Sequence, residues 1–462
     1  MFQAGRTINI YSDITIHPDI TTAGGNITLL AGVQHGDFLP GRWALASNPT
    51  GGNPILGEGW ISIDHVADLA TNGGNVTLRA GNDITFLNQS AIRTGSGDVT
   101  LEAGNNLRII GSSTIDTGNG NFTATSNEID ISATIRGTGT ATLQPFSTTQ
   151  DIVVAGSSNT ATLDLTTAEL NSLQDGFAQI VIGRSDSTGL VALNSSFAFQ
   201  DPVHIAGGST LIGPSQNTTW TVTGTGRGNL SGFNESLTFA NIEHLTGRSA
   251  GDSFILNGGS IDSVDGGNGI DNSLTGDNSA NTWNITADNA GYVNGVGAFS
   301  NIQNLVGGSE ADSFNVNGGS VAEINGGDGN NSLTGDNSAN AWTIDGADTG
   351  QLNGSNRVSS IQNLTGGNDG DTFSFSGDDA RISHSIDGAG GSDTLDYAGS
   401  GSDVTLTLGT NDPNQPATAL SNIEFIRGNG KSTTLMGSDA DSTWKLNDRN
   451  GGEVNGTHFS GI

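Results

Sequence analysis

The residues best suited to chemistry are acids placed in glycine-rich turns. Gly266-Gly267-Asn268-Gly269-Ile270-Asp271, Gly326-Gly327-Asp328-Gly329-Asn330-Asn331 and Gly388-Ala389-Gly390-Gly391-Ser392-Asp393 form one set. Asp252-Ser253-Phe254, Asp312-Ser313-Phe314 and Asp371-Thr372-Phe373 form a second. Asp271 follows Asp252 at i+19, as Asn331 follows Asp312, whereas Asp393 follows Asp371 at i+22. The stretch 249–356 holds 13 acids and no Lys, Arg or His. Oxygen donors without a basic partner attract cations. The competing reading is that Gly, Asp and Asn here simply build turns.

A second cluster lies in the stretch Val33–Ala70, which gathers His35, Trp43, Trp60 and His65 with Asp37, Arg42, Asp64 and Asp68. Aromatic platforms with polar neighbours suit a sugar ring or a protein partner. The plainer reading packs Trp43 and Trp60 onto whatever lies beneath.

Catalytic patterns are missing from the sequence. It contains no Ser/His/Asp arrangement, G-x-S-x-G elbow or P-loop, and five of the seven His stand isolated in repeats. A polysaccharide-active enzyme would need two carboxylates across a cleft. The expectation is a protein that is not an enzyme. A carbohydrate-binding module or a β-helical polysaccharide-active enzyme is the alternative.

Composition narrows the partners. The 47 acids against 15 bases give a net charge of −32, and Lys occurs only at 431 and 445. Nucleic acid needs clustered Lys and Arg, so it is excluded as a partner. The sequence lacks an apolar run long enough to span a bilayer, and no membrane insertion is expected. With 0 Cys there is no disulfide framework or thiolate metal site. The 71 Gly depart from ordinary globular usage.

What must position these residues is a repeat. Asn75-Val76-Thr77-Leu78-Arg79-Ala80-Gly81 returns at i+23 as Asp98-Val99-Thr100-Leu101-Glu102-Ala103-Gly104. Strands at Asp83–Phe86 and Ala91–Arg93 keep the same step. Three short alternating strands per repeat, bounded by turn residues, describe one coil of a parallel β-helix. An earlier coil begins at Asn26, so the surplus at about 33–70 reads as an excursion from a shaft covering residues 1–145.

Residues 146–216 lose the clean step and read as an irregular β connector. Thr166-Thr167-Ala168-Glu169 is a capping box, which predicts a short helix over about 166–176. From 217 onward Trp220, Trp283, Trp342 and Trp444 open matching blocks, at i+63, i+59 and i+102 in turn. The long step holds an extra Ser421-Asn422-Ile423-Glu424-Phe425-Ile426. Inside a block large apolar residues fall nine or ten apart, predicting narrower coils with a period of 18–19. The fold class is therefore all-β, a parallel β-solenoid with wide three-strand coils followed by narrow ones.

Residues 1–145, through the Asn/Asp-Val-Thr-Leu-x-Ala-Gly coils, resemble the shaft of filamentous-haemagglutinin-type exoproteins, the adhesins of two-partner secretion. Residues 217–462 resemble degenerate RTX-like repeats, whose ideal unit is G-G-x-G-x-D-x followed by a large apolar residue. The resemblance implies a bacterial protein, extracellular or on the cell surface, acting as stalk or adhesin. It implies a matrix or glycan ligand, flanking repeats of the same larger chain and self-association. Phe459-Ser460-Gly461-Ile462 reads as a truncated block.

The same resemblance implies Ca²⁺ shared between coils by Asp252, Asp271, Asp312, Asp328, Asn331, Asp371 and Asp393. Asn331 stands where the pattern wants Asp, and Glu310 and Asp369 interrupt glycine positions, so weak binding is expected.

Overall fold

The computed structural model describes residues 2–3, 14–16, 20–31, 59–63, 67–157, 162–194, 197–409, 415–438 and 440–462. His35, Trp43 and His65, and with them most of the expected excursion, lie outside the described residues. By internal contacts the chain forms two compact units. One comprises Met1–Ser215 and Gly226–Leu245, the other Gln216–Thr225 and Thr246–Ile462.

The first unit is a parallel β-helix with three strand stacks. Val76–Ala80 pairs with Ile27–Ala31 on one side and Val99–Ala103 on the other, with Val76 opposite Val99 as the repeat predicts. Asp83–Phe86 stacks between Ile61–Ile63 and Asn106–Ile109, and Ala91–Arg93 between Asp68–Thr71 and Thr114–Asp116. Alternation decides which side faces in. Val76, Leu78 and Ala80 are fully buried, as are Val99, Leu101 and Ala103, while the Thr between them face outward. Arg on one coil meets acid on the next: Arg79 with Glu102 (3.2 Å), Arg108 with Asp130 (3.3 Å) and Arg136 with Asp116 (2.7 Å).

Two expectations change here. Ile61–Ile63 and Asp68–Thr71 are regular coil strands, so the excursion is over by residue 61 and Trp60 sits at its end. Parallel pairing also runs through the segment read as an irregular connector. Gln179–Gly183 lies between Thr140–Gln144 and Val203–Ala206, and Ile152–Gly156 between Leu163–Thr166 and Val191–Leu193. The capping box forms: the Glu169 N–H donates to Thr166 Oγ1, and the Thr166 N–H to Glu169 Oε2 (2.7 Å). Its helix is only Thr167–Leu170, capped by Asn171, shorter than the 166–176 expected, because the chain returns to a coil bridge at Leu173.

The second unit alternates between two strand stacks. Ser253–Leu256, Ser273–Thr275, Asn304–Gly308 and Glu323–Gly327 follow one another in parallel in the first. Ser313–Val316, Ser332–Thr334 and Asn363–Gly367 do so in the second. Every large residue of the nine-to-ten spacing, from Val264 and Leu274 to Leu352 and Ile361, is buried.

The coils are not uniform, however. Each Trp strand opens an antiparallel three-strand meander: Thr282–Ala287, Ala290–Val293 and Val296–Ser300 in one block, Ala341–Gly346, Thr349–Leu352 and Asn356–Ser359 in the next. Coils without a meander bring partners together at i+19 (Ser313 with Ser332) to i+22 (Thr372 with Thr394). Those with one do so at i+31 (Thr282 with Ser313) to i+35 (Ile261 with Val296). Asn-Gly turns close the second hairpin of each of these meanders, with Asn353 and Gly354 both at positive φ (55° and 68°), the geometry that matches strand twist.

Four single strands separate the Trp283 meander from the Trp342 meander, a block of five strand positions. The number is odd, so these two meanders fall in opposite stacks, whereas the longer step from Trp342 to Trp444 returns the last meander to the stack of the one before it. Trp283 and Trp342 occupy equivalent places in sequence but different sheets.

Candidate functional site

The acids of the second unit converge on its backbone. Asp252, Asp312, Asp371 and Asp393 are each about 1% exposed, and each directs Oδ1 at the main chain of the preceding coil. Asp252 accepts from the Thr218 N–H (3.0 Å), Asp312 from Asn281 (2.7 Å), Asp371 from Asn340 (2.6 Å) and Asp393 from Asp371 (2.7 Å). Their own N–H groups donate onward in turn. Asn272 Oδ1 accepts from Asp252 (2.9 Å), Asn331 Oδ1 from Asp312 (2.9 Å) and Glu424 Oε2 from Asp393 (2.8 Å).

Three ladders result: Thr218–Asp252–Asn272–Gln303, Asn281–Asp312–Asn331–Gln362 and Asn340–Asp371–Asp393–Glu424. They carry the backbone N–H groups at the strand entrances, which would otherwise be buried without partners. Burial pushes the carboxyl pKa of all four Asp upward, against the lowering effect of the N–H donors.

Glycine makes room for each rung. A Cβ on Gly307 would lie 2.3 Å from Asp312 Oδ2 and 2.2 Å from the Gly326 oxygen. Gly247, Gly366 and Gly388 stand likewise five residues before Asp252, Asp371 and Asp393. The glycine-aspartate pattern thus has a steric origin.

The expected metal ligands are therefore dispersed. Ser253 pairs with Ser273, so Asp252 stacks on Asn272 and not on Asp271. The turn is one residue longer than the spacing suggested, leaving Asp271 exposed beside Ile270. Asp328 is likewise exposed on its turn, where its carbonyl accepts from Asn331 Nδ2 (3.1 Å). Asp312 with Asn331, and Asp371 with Asp393, do stack in register, but with Oδ1 committed to N–H donors. Among the described residues no group of three or more His, Cys, Asp or Glu is placed to hold a metal ion. Ca²⁺ takes six to eight oxygens, and these residues as arranged do not fit it.

Sequence reasoning missed the amide rungs Asn272, Asn281 and Asn340 and the end rungs Gln303, Gln362 and Glu424. For all but Glu424 the signal was available: Asn272 and Asn331 lie 11 residues before Trp283 and Trp342, Gln303 and Gln362 lie 20 after them, and Thr218, Asn281 and Asn340 lie two before Trp220, Trp283 and Trp342. The first unit has a solvent-facing counterpart, in which Asn75, Asp98 and Asn121 accept the N–H of Asp98, Asn121 and Thr140 (each 2.8 Å).

The meanders supply the outward chemistry. Cross-strand neighbours on their outer faces are Asn284 and Tyr292 in the Trp283 meander, Thr343, Gln351 and Arg357 in the Trp342 meander, and Lys445, Glu453 and His458 in the Trp444 meander. The backbone is shared and the side chains differ completely. Tyr292, 47% exposed, stands in an open groove of about 550 Å³ with Ser260, Thr282, Asn284 and Asn294. Of the other expected ligand residues, Trp60 is 42% exposed at the entry to Ile61–Ile63.

No protein-family model matches the chain, and neither a curated protein nor a solved structure matches it.

Proposed function

We propose that the chain is a structural and adhesive segment of a large secreted or cell-surface bacterial protein. One observation carries this reading: a buried, nearly invariant set of rungs and Trp strands holds meanders whose outward residues change from block to block. Each block thereby presents a different set of aromatic, amide and charged groups on the same backbone. A repeat that keeps its scaffold and varies its display suits a protein contacting surface glycans or matrix proteins. The acidic charge favours neutral or cationic partners over nucleic acid.

The test is binding of the immobilised chain to panels of matrix proteins and glycans. A variant with Tyr292, Gln351, Arg357, Lys445 and Glu453 changed to Ser or Thr serves as control. The reading expects binding to fall at least tenfold in the variant with its β-type circular dichroism intact. Equal binding by both would defeat it.

A second reading, a carbohydrate-binding module, is favoured by the Tyr292 groove. Its uncharged lining offers an aromatic face with amides and hydroxyls around it, the arrangement that neutral sugars use. Tyr292→Ala alone should then abolish oligosaccharide binding.

A further inference from the structure

The strand Trp444–Asp448 opens the last meander, pairing antiparallel with Gly451–Val454. The meander is built like the others, with Trp444 edge-on to Phe459 (5.7 Å) as Trp283 is to Phe299 (6.3 Å). Its other edge differs. In the earlier copies that edge holds a parallel strand: Thr219–Gly224 takes Ser253–Leu256, Thr282–Ala287 takes Ser313–Val316, and Ala341–Gly346 takes Thr372–Ser376. Among the described residues no strand pairs there with Trp444–Asp448.

The three occupied copies specify what fits. Opposite each Trp lies Phe: Phe254, Phe314 and Phe373 stack on Trp220, Trp283 and Trp342 at 5.6, 5.5 and 5.6 Å. Opposite the apolar residue two further on lie Leu256, Val316 and Phe375, covering Val222, Ile285 and Ile344. One residue before the Ser or Thr of the incoming strand is the ladder Asp, which caps the N–H of Thr218, Asn281 or Asn340. In the last meander Ser442, Trp444 and Leu446 hold these three places. Covered copies leave the Trp and its apolar neighbour at most 2% exposed, whereas Trp444 is 41% and Leu446 75% exposed.

We propose that this edge is a docking site for a parallel β-strand from outside residues 1–462, of pattern Asp-(Ser/Thr)-Phe-x-(Leu/Val/Phe). The Asp caps Ser442, the Phe stacks on Trp444 and the last residue covers Leu446. Backbone pairing supplies affinity and the three side chains supply register, the logic of strand addition. The site stands whether or not the adhesive reading holds, since it concerns the repeat's own packing.

The probe is a fluorescent synthetic peptide spanning 309–319, which carries Asp312-Ser313-Phe314-Asn315-Val316. The expected result is saturable anisotropy with the full chain, weakened at least tenfold by Leu446→Asp and lost with a Phe314→Ser peptide. Leu446 is exposed, so its replacement leaves folding intact, which circular dichroism checks. Because the chain has 0 Cys, a Lys445→Cys chain and peptides bearing one Cys report direction. Parallel register requires faster disulfide formation with the Asn315→Cys peptide than with the Ser313→Cys peptide, since an antiparallel strand with Phe314 opposite Trp444 would bring Ser313 to Lys445 instead. No saturable binding, binding indifferent to Leu446→Asp, or preferred coupling at Ser313 would overturn the proposal. So would an edge-to-edge dimer of the chain that excludes the peptide.

Discussion

Asp312 Oδ1 accepts the Asn281 N–H at 2.7 Å, while the Asp312 N–H donates to Asn331 Oδ1 at 2.9 Å, so one buried residue joins three successive coils. Its Oδ2 has no hydrogen-bond partner. At the next rung the equivalent atom is Asn331 Nδ2, which donates to the Ser360 carbonyl (3.1 Å). Asp312 Oδ2 and the Gly326 carbonyl flank the space beside Gly307, 2.3 and 2.2 Å from where a Cβ would sit, just as Asn331 Nδ2 and the Ser360 carbonyl flank the space beside Gly326. An acceptor there faces an acceptor unless the carboxyl is protonated.

Asp312→Asn should therefore stabilise the chain at pH 7 by retaining Oδ1 and giving Gly326 a donor. Asp312→Ala should destabilise by about 1–3 kcal/mol, the cost of orphaning a buried N–H. The sign with pH follows from the raised carboxyl pKa. Its favourable contribution is complete below the ordinary Asp range and is lost as pH rises through the folded value. The gain from Asp312→Asn should thus shrink towards pH 4, as urea unfolding at several pH values would reveal. A constant gain would remove protonation from the account.

Glu169 offers a sharper pH test. Burial raises its carboxyl pKa from 4.5 to about 7, outweighing the lowering effect of the Thr166 hydrogen bonds. The stabilising contribution is full below about 4.5 and disappears as pH climbs through about 7. Glu169→Gln keeps the capping acceptor without the charge. It should be near neutral at pH 4.5 and stabilising at pH 8.5, by at most about 3 kcal/mol for a shift of this size. Thermal melts at the two pH values check it.

How far the sequence could be read depends on which interaction each residue makes. Val76 over Val99 was legible because burial imposes period two and the next coil repeats it at i+23. The step from one Trp to the next was equally plain, but its division was not. Apolar residues at nine-to-ten spacing look alike whether the chain starts a new coil at Leu333 or turns back at Val293, since both are buried strand centres. The Asn353-Gly354 turn carried the distinction. Asp252 and Asp271 misled for a related reason: a turn of one extra residue moves a side chain from the core to solvent, and spacing alone does not reveal it. Asp312 and Asp371 were found as acids, but a carboxylate that caps a backbone N–H and one that binds a cation share the same Gly-Asp signature.

The Trp–Phe stack should be measurable as a coupling. Trp283 and Phe314 lie 5.5 Å apart with planes 12° from parallel, both fully buried. Each truncation to Ala should cost about 3–5 kcal/mol. The double mutant should fall short of their sum by about 0.5–1.5 kcal/mol, the aromatic term beyond burial. Additive losses in a denaturant-based cycle would reduce the stack to mere area.

Cation dependence separates ladder from site. The chain carries −32, so raising ionic strength should raise the unfolding midpoint by screening repulsion among exposed acids such as Asp271 and Asp328. The Oδ1 atoms of Asp252, Asp312, Asp371 and Asp393 are directed at N–H groups, and the Oδ2 atoms of Asp312, Asp371 and Asp393, though without hydrogen-bond partners, are buried, so Ca²⁺ reaches none of them without opening a rung. Millimolar CaCl₂ and NaCl at equal ionic strength should give the same midpoint, and EDTA should leave it unchanged. The melts are best followed by near-UV circular dichroism, which reads the buried Trp220, Trp283 and Trp342 directly. A Ca²⁺-specific rise that survives Asp312→Asn would place a cation away from that rung. A rise abolished by Asp312→Asn would show that the rung opens to bind one, reversing the assignment of these acids as backbone caps.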